Sequence, residues 1–204
     1  MAFGILRRGV AVVATLACVF ASSAMMTAAR AQAAPVFEIT QAGSSIKFFV
    51  KASVSVSGTF DKWDAGLTFA SDDAVTGVLD IKIPAGSVDT GSGLKNRKLK
   101  GEDFFDVEKN PVITFRSKKI VKLSATQFEM DGDFTIRGVT RPEKLTLTVS
   151  GAGTGSGSIK GTMSFNRKDY GINGDIPLVK IADRVDVTVD LKARRVSGAA
   201  LTFK

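Results

Sequence analysis

Apolar and polar residues alternate with period two along most of the chain after Ile46. Ile46, Phe48 and Val50 alternate with Lys47 and Lys51, and Val54, Val56, Gly58 and Phe60 alternate with Ser53, Ser55, Ser57 and Thr59. Val75, Gly77, Leu79, Ile81 and Ile83 oppose Thr76, Asp80 and Lys82; Ile113 and Phe115 oppose Thr114 and Arg116. The same pattern recurs with Phe128, Met130, Gly132, Phe134 and Ile136, with Leu145, Leu147 and Val149, with Ile159, Gly161, Met163 and Phe165, and with Val185, Val187, Val189 and Leu191. Successive strand side chains point to opposite faces, so each segment predicts a strand with one dry and one wet face. Buried parallel strands would be apolar on both faces, so the sheet is expected to be antiparallel.

Turn chemistry punctuates the strands at Asp61–Gly66, at Gly138–Pro142 and at Gly151–Gly157, the last (GAGTGSG) a flexible hairpin connection between strands of one kind. One stretch breaks the rhythm: Gly91–Asp106, GSGLKNRKLKGEDFFD, is a long connection with a short helix predicted at Leu94–Lys100. Connections of this length are often functional, and this one is expected to lie across one end of the sheet. No internal repeat or second domain is visible. About eight amphipathic strands fit a sandwich or a barrel. The glycines favour a barrel, because Gly58, Gly77, Gly132 and Gly161 all occupy the apolar register. Glycine there either lets the sheet coil or leaves space inside it. In the second case the space is a channel lined by Phe48, Phe60, Phe115, Phe128, Phe134 and Phe165, with Leu79, Ile81, Met130 and Met163 on the same face. An eight-stranded barrel is near the size at which the lumen fills with side chains or admits one slender ligand.

The first 33 residues read differently. Arg7 and Arg8 precede an apolar run, Gly9–Ala21, and two small-residue patterns follow, Ala29-Arg30-Ala31 and Ala31-Gln32-Ala33. This is the layout of an export signal cleaved after Ala31 or Ala33, the run being shorter than the ~20 residues of a membrane span. Leu16-Ala17-Cys18 is a weak match to a lipidation site, and Arg7-Arg8 leaves general and twin-arginine export both open. The barrel is expected over residues 36–196, with residues 197–204 as a tail. The precursor's 28 basic and 20 acidic residues give +8. Removing Arg7, Arg8 and Arg30 leaves 25 against 20, or +5, for the exported part. Its basic residues cluster only at Lys95, Arg97, Lys98 and Lys100 and at Arg194-Arg195, too sparse for a nucleic-acid footprint. Cys18 is the single cysteine and there is no histidine. Disulfides, Ser-His-Asp catalysis and the common zinc sites are therefore excluded from the exported part.

Seven motifs stand in order: Ser45-Ile46-Lys47-Phe48, Gly58-Thr59-Phe60, Ser87-Val88-Asp89-Thr90-Gly91, Asp103-Phe104-Phe105-Asp106-Val107, Asn110-Pro111 with Thr114-Phe115, Thr135 to Pro142, and Asn166-Arg167-Lys168-Asp169-Tyr170-Gly171-Ile172. This series closely resembles the YceI-like (polyisoprenoid-binding, lipocalin-like) family over about Val36–Val196. The resemblance implies an all-β, extended eight-stranded antiparallel barrel whose lumen takes a long isoprenoid or fatty-acyl chain. It also implies a periplasmic or secreted location, often a dimer, and no catalysis. Two segments depart from the family pattern. Lys51-Ala52-Ser53 and Lys95-Asn96-Arg97-Lys98-Leu99 stand where many members carry histidine-containing runs, which leaves the head-group preference open.

Individual residues sharpen the expectation. Phe104 and Phe105, on the long connection, fit either a plug or a portal at one barrel end. Tyr170 offers a hydroxyl near the mouth, Trp63 reads as packing, and Arg167 with Asp169 as a structural pair. Arg137 and Arg141 fit ion pairing with acids better than contact with an anionic head group. Carboxylates are the remaining candidates for chemistry, but Asp72-Asp73, Asp131, Asp133, Asp103 and Asp106 form no motif with a nucleophile or ligand set. The expected function is to hold a long-chain apolar lipid (a polyisoprenoid, isoprenoid quinone or fatty-acyl compound) for transport or storage. No cofactor, metal or nucleic acid is expected, and transient membrane contact and a homodimer are compatible with it. The competing reading is a filled barrel that acts through its surface.

Overall fold

The alternating segments close into a ring. The computed structural model describes residues 33–203 except 54, 152, 176, 177 and 179; the expected export signal up to residue 32 and Val54 lie outside the described residues. Ten strands form the ring: β1 (Val36–Ala52), β2 (Val56–Phe60), β3 (Asp64–Phe69), β4 (Gly77–Pro84), β5 (Val88–Asp89), β6 (Val112–Lys122), β7 (Gln127–Ile136), β8 (Val139–Ser150), β9 (Ser156–Asn166) and β10 (Ile181–Ser197). Among the described residues one α-helix, α1 (Gly93–Lys100), follows β5.

All the strand pairs are antiparallel. The order β10-β9-β8-β7-β6-β4-β3-β1 is closed by a long β1–β10 ladder. β2 continues the line of β3 and β5 that of β4. β1 pairs with β3 through Val36 and Phe37 and with β2 through Lys47–Val50, while β2 pairs with β5. Two interrupted strands and six continuous ones therefore make a closed eight-stranded barrel, as expected. Inward side chains form one apolar core from Ile46 to Ala193.

Several boundaries differ from the sequence reading. β1 begins ten residues earlier than Ile46, because a register shift between Thr40 and Ser45, with Gly43 at φ 74°, breaks the alternation without ending the strand. Asp61–Gly66 is a turn only to Trp63, which is buried. Gly138–Pro142 is not a turn. Arg137 and Gly138, with φ 52° and 72°, make the two-residue hairpin turn, and Val139 already pairs with Ile136. Pro142 is tolerated in β8 because the β8–β9 ladder starts only at Thr146.

The two barrel ends are closed differently. At the first end lie α1, the loop after it, the β1–β2 connection, the β7–β8 turn and the 3-10 turn Arg167–Tyr170. The opposite end holds the β8–β9 connection and the C-terminal segment. The amide of Ala74 donates to Thr202 O, Lys122 Nζ donates to Phe203 O, and the Phe203 ring sits 6.0 Å from that of Phe128.

Candidate functional site

Inside the first end, inward residues of seven strands leave a cavity of about 490 Å³. Its wall is built by strand alternation: Ile46, Phe48 and Val50 on β1, Val56 and Phe60 on β2, Ile83 on β4, Ile113 on β6, Phe134 and Ile136 on β7, Phe165 on β9, and Ile181, Val185 and Val187 on β10. Leu94, Lys95, Lys98 and Leu99 of α1 and Phe104 and Phe105 of the next loop complete it. Among the described residues no carboxylate lines the cavity. Leu94 is 72% exposed, so the cavity reaches the surface beside α1.

α1 is held at the mouth by polar contacts rather than by burial. Asn96 Nδ2 donates to Asp89 Oδ1 at 2.9 Å, and Asn96 Oδ1 accepts from the amide and hydroxyl of Thr90 at 2.9 and 2.7 Å. The Asn96 hydrogen bond, reinforced by the Gly91 amide, holds the Asp89 carboxyl below its usual range. Lys98 Nζ donates to Asp103 Oδ2 at 2.8 Å and lies over the Phe104 ring; its hydrogen bond likewise lowers Asp103. Both segments that depart from the family pattern, Lys51–Ser53 and Lys95–Leu99, fall at this end. Phe104 and Phe105 are buried there, Phe104 against Gly174 and Phe105 with its ring 6.2 Å from that of Phe60. Of the two alternatives for this pair, a plug or a portal, their buried geometry is that of a plug.

Arg167 is a buried cation in this apolar wall, 4% exposed. Asn166 caps the turn after β9 by accepting from the Lys168 amide, and Gly171 ends it in the left-handed region. Arg167 therefore continues the inward register of Met163 and Phe165. Its guanidinium donates to the carbonyls of Ala182, Ile172 and Gly174 at 3.2, 2.9 and 3.0 Å and faces Asp183 at 3.3 Å and Asp175 at 3.6 Å. The expected Arg167–Asp169 pairing is thus corrected: backbone carbonyls and two later aspartates satisfy Arg167, and the Asp169 carbonyl takes Arg141 Nε at 2.8 Å. Arg137 also meets carbonyls rather than acids. It donates to Gly171 O and, at 2.9 Å, to Glu102 O, tying the β7–β8 turn to both neighbouring loops. Tyr170 is fully buried, with its ring among those of Phe134 and Phe165 and its hydroxyl donating to Glu143 Oε1 at 2.7 Å. Burial and that bond push its phenol far up. Its hydroxyl is committed to Glu143 rather than offered at the mouth.

The predicted lumen residues fall into three groups. Phe48, Phe60, Phe104, Phe105, Phe134 and Phe165 line the large cavity. Leu79, Phe128 and Met130 line a separate cavity of about 90 Å³ at the opposite end. Ile81, Phe115, Met163 and Tyr170 line neither and are buried in solid packing. The predicted lumen set left out Ile46, Val50, Val56, Ile83, Ile113, Ile136, Val185 and Val187, and also Leu94. The strand residues share the inward alternation, a signal that was present, whereas for Leu94 the sequence offered only its place on a helix across one end.

The inward glycines do not border open space. A Cβ on Gly58 would lie 2.6 Å from the Phe48 ring, and one on Gly77 would lie 2.8 Å from Phe69. On Gly132 it would lie 2.6 Å from Arg116 O and 2.8 Å from Phe115 Cζ, and on Gly161 it would lie 2.6 Å from both Leu147 and Val189. A neighbouring strand supplies the missing volume each time. The channel beside the four glycines is therefore corrected to close aromatic and aliphatic cover over them.

A closed antiparallel barrel with an apolar, one-ended lumen places the molecule among lipocalin-like barrels. The YceI-like domain model matches residues 37–193, so the chain belongs to the YceI-like family. A UPF0312 protein of Pseudomonas aeruginosa is 30% identical over 171 residues, covering 79% of this chain and 88% of that protein. Another from Pseudomonas syringae pv. tomato is 26% identical over 187 residues, covering 86% and 95%. Among solved structures, Burkholderia cenocepacia BcnA is similar with a TM-score of 0.69 at 25% identity, covering 76% of this chain and 99% of that one. A polyisoprenoid binding domain from Saccharophagus degradans, implicated in plant cell wall breakdown, has a TM-score of 0.64 at 16% identity, covering 79% and 99%, and shares the fold alone.

Proposed function

We propose that the protein binds one long apolar chain, an isoprenoid or fatty-acyl group, in the cavity under α1, and carries or stores it outside the cytoplasm without chemical change. The observation that carries this reading is the cavity itself: about 490 Å³ lined mostly by aliphatic and aromatic side chains, in a barrel whose other cavity is only about 90 Å³. Filled cores leave few voids larger than a water, so a void of this size is a binding site by default. At roughly 30 Å³ per water-sized group the 490 Å³ takes about 16 methylenes. Their burial is worth about 13 kcal/mol gross at ~0.8 kcal/mol each. Subtracting roughly 5 kcal/mol for lost freedom leaves about 8 kcal/mol, which is micromolar holding.

The charged groups on the wall support binding rather than catalysis. Arg167 is taken up by three carbonyls and by Asp175 and Asp183, Lys98 is paired with Asp103, and among the described residues no carboxylate lines the lumen. Entry is assigned to the α1 end, where Leu94 and Lys95 meet solvent and suit brief contact with a membrane surface during loading. The N-terminal signal pattern supports export to the periplasm or beyond.

The test is uptake of a fluorescent fatty-acid probe by delipidated protein and by Val185→Trp, which puts an indole into the cavity from β10. Saturable uptake by the wild type, lost in a variant that keeps its far-UV dichroism and cooperative melting, is the expected result. Equal uptake by both would refute the site, and no uptake by either would refute the function.

A further inference from the structure

The two cavities lie in one barrel but are not continuous. Along β4 the inward positions run from Ile83 at the large cavity through Ile81 to Leu79 at the small one. On β9 they run from Phe165 through Met163 to Ile159, with Gly161 in between. On β6 and β7 the middle positions are Phe115 and Gly132. Phe115 and Met163 are 5% and 6% exposed and line neither cavity. The Phe115 ring lies over Gly132, where a Cβ would come within 2.8 Å of Cζ, and Val189 and Leu147 close over Gly161 in the same way. The waist glycines therefore admit neighbouring side chains into the lumen and make a floor across it.

We propose that this floor measures the ligand: Phe115 and Met163 set the longest chain that the lumen accepts, and the protein selects single chains of about 16 carbons or fewer over longer ones. The inference rests on the proposed lipid-binding function and adds a specificity-determining layer to it. A longer chain would have to leave its far end in water at the mouth or displace the Phe115 ring from Gly132. Each uncovered carbon then adds nothing to affinity, so uptake should level off with length and then fall in competition.

Delipidated protein is offered a mixed series of straight-chain fatty acids spanning lengths well below and well above about 16 carbons, and native mass spectrometry reads which masses are retained. Three variants are compared with wild type. Phe115→Ala and Met163→Ala open the floor towards the small cavity of about 90 Å³, which at roughly 30 Å³ per group adds about 3 carbons. Val187→Phe fills space above the floor without making a hole, so it tests the same idea even where an opened floor prevents folding. The expected result is a wild-type cut-off that moves to longer chains in a folded floor variant and to shorter chains in Val187→Phe. Retention without a length cut-off, or a cut-off that Val187→Phe and the folded floor variants leave in place, overturns this inference while the binding function stands. Retention of no chain by wild type overturns the binding function and the inference together.

Discussion

Adding one methyl group at Gly132 probes whether the barrel waist is solid. The Cβ of Gly132→Ala would sit 2.6 Å from Arg116 O, 2.8 Å from Phe115 Cζ and 3.0 Å from Arg116 C. Two of these atoms belong to the backbone of β6, which is paired on both sides with β4 and β7, so the strain cannot be relieved by one side-chain rotation. Overpacking of this kind costs about 1–3 kcal/mol. Alanine recovers roughly 0.4–1 kcal/mol by restricting the unfolded chain, leaving a net loss of about 1–2 kcal/mol. In a domain of this size each kcal/mol moves the melting temperature by roughly 2–4 °C, so a fall of about 2–8 °C is expected. Differential scanning calorimetry of delipidated wild type and variant measures it directly. An unchanged or raised melting temperature would refute the reasoning, because it would mean that the space over Gly132 is vacant and the lumen runs through.

Other consequences are open to separate measurement. Arg137→Ala removes charged donors from Gly171 O and Glu102 O. At about 1.5 kcal/mol or more for a hydrogen bond to a charged group, faster amide exchange is expected in residues 101–106 and 171–174 with the rest of the barrel unchanged. Arg167→Met leaves the carbonyls of Ala182, Ile172 and Gly174 without their donor; at the same ~1.5 kcal/mol each, chemical denaturation should show a loss of about 4–5 kcal/mol. With no histidine in the chain, melting should be nearly flat between about pH 5 and 8. In acid the sign is set by Asp89 and Asp103. Both carboxyls are lowered in the fold, by Asn96 and Lys98 respectively, so their contribution is full above the ordinary carboxylate pKa and is lost as pH falls through the lowered folded values. Amide exchange in α1 should rise selectively there.

The period-two alternation carried most of this architecture, because a strand with one dry face writes its orientation into every second residue. It failed where the backbone departs from regular pleating. Gly43 and the register shift after Thr40 concealed the first ten residues of β1, and Pro142 looked like a turn residue although it sits where β8 has no partner on one side. The cavity was legible only in part. Phe48, Phe60, Phe134 and Phe165 could be assigned to the interior, but alternation does not say how far along the barrel axis a residue lies. Phe115 and Phe128 carry the same signal yet sit at the waist and in the far cavity. The glycines misled for a related reason. What faces a glycine depends on strand register, and only the pairing of Phe48 with Gly58 and of Val189 and Leu147 with Gly161 shows that their space is taken. Arg167 was visible as a charge within a turn motif, but its burial follows from three carbonyls converging at the end of β9, which no local pattern announces.

Native mass spectrometry of protein isolated gently from its own host tests the central claim most directly. The account predicts a discrete added mass that organic extraction removes and that fragments as a single apolar chain with one head group. A protein that flies only at its bare mass, and takes up no fatty acid or polyprenol when these are offered, would contradict it.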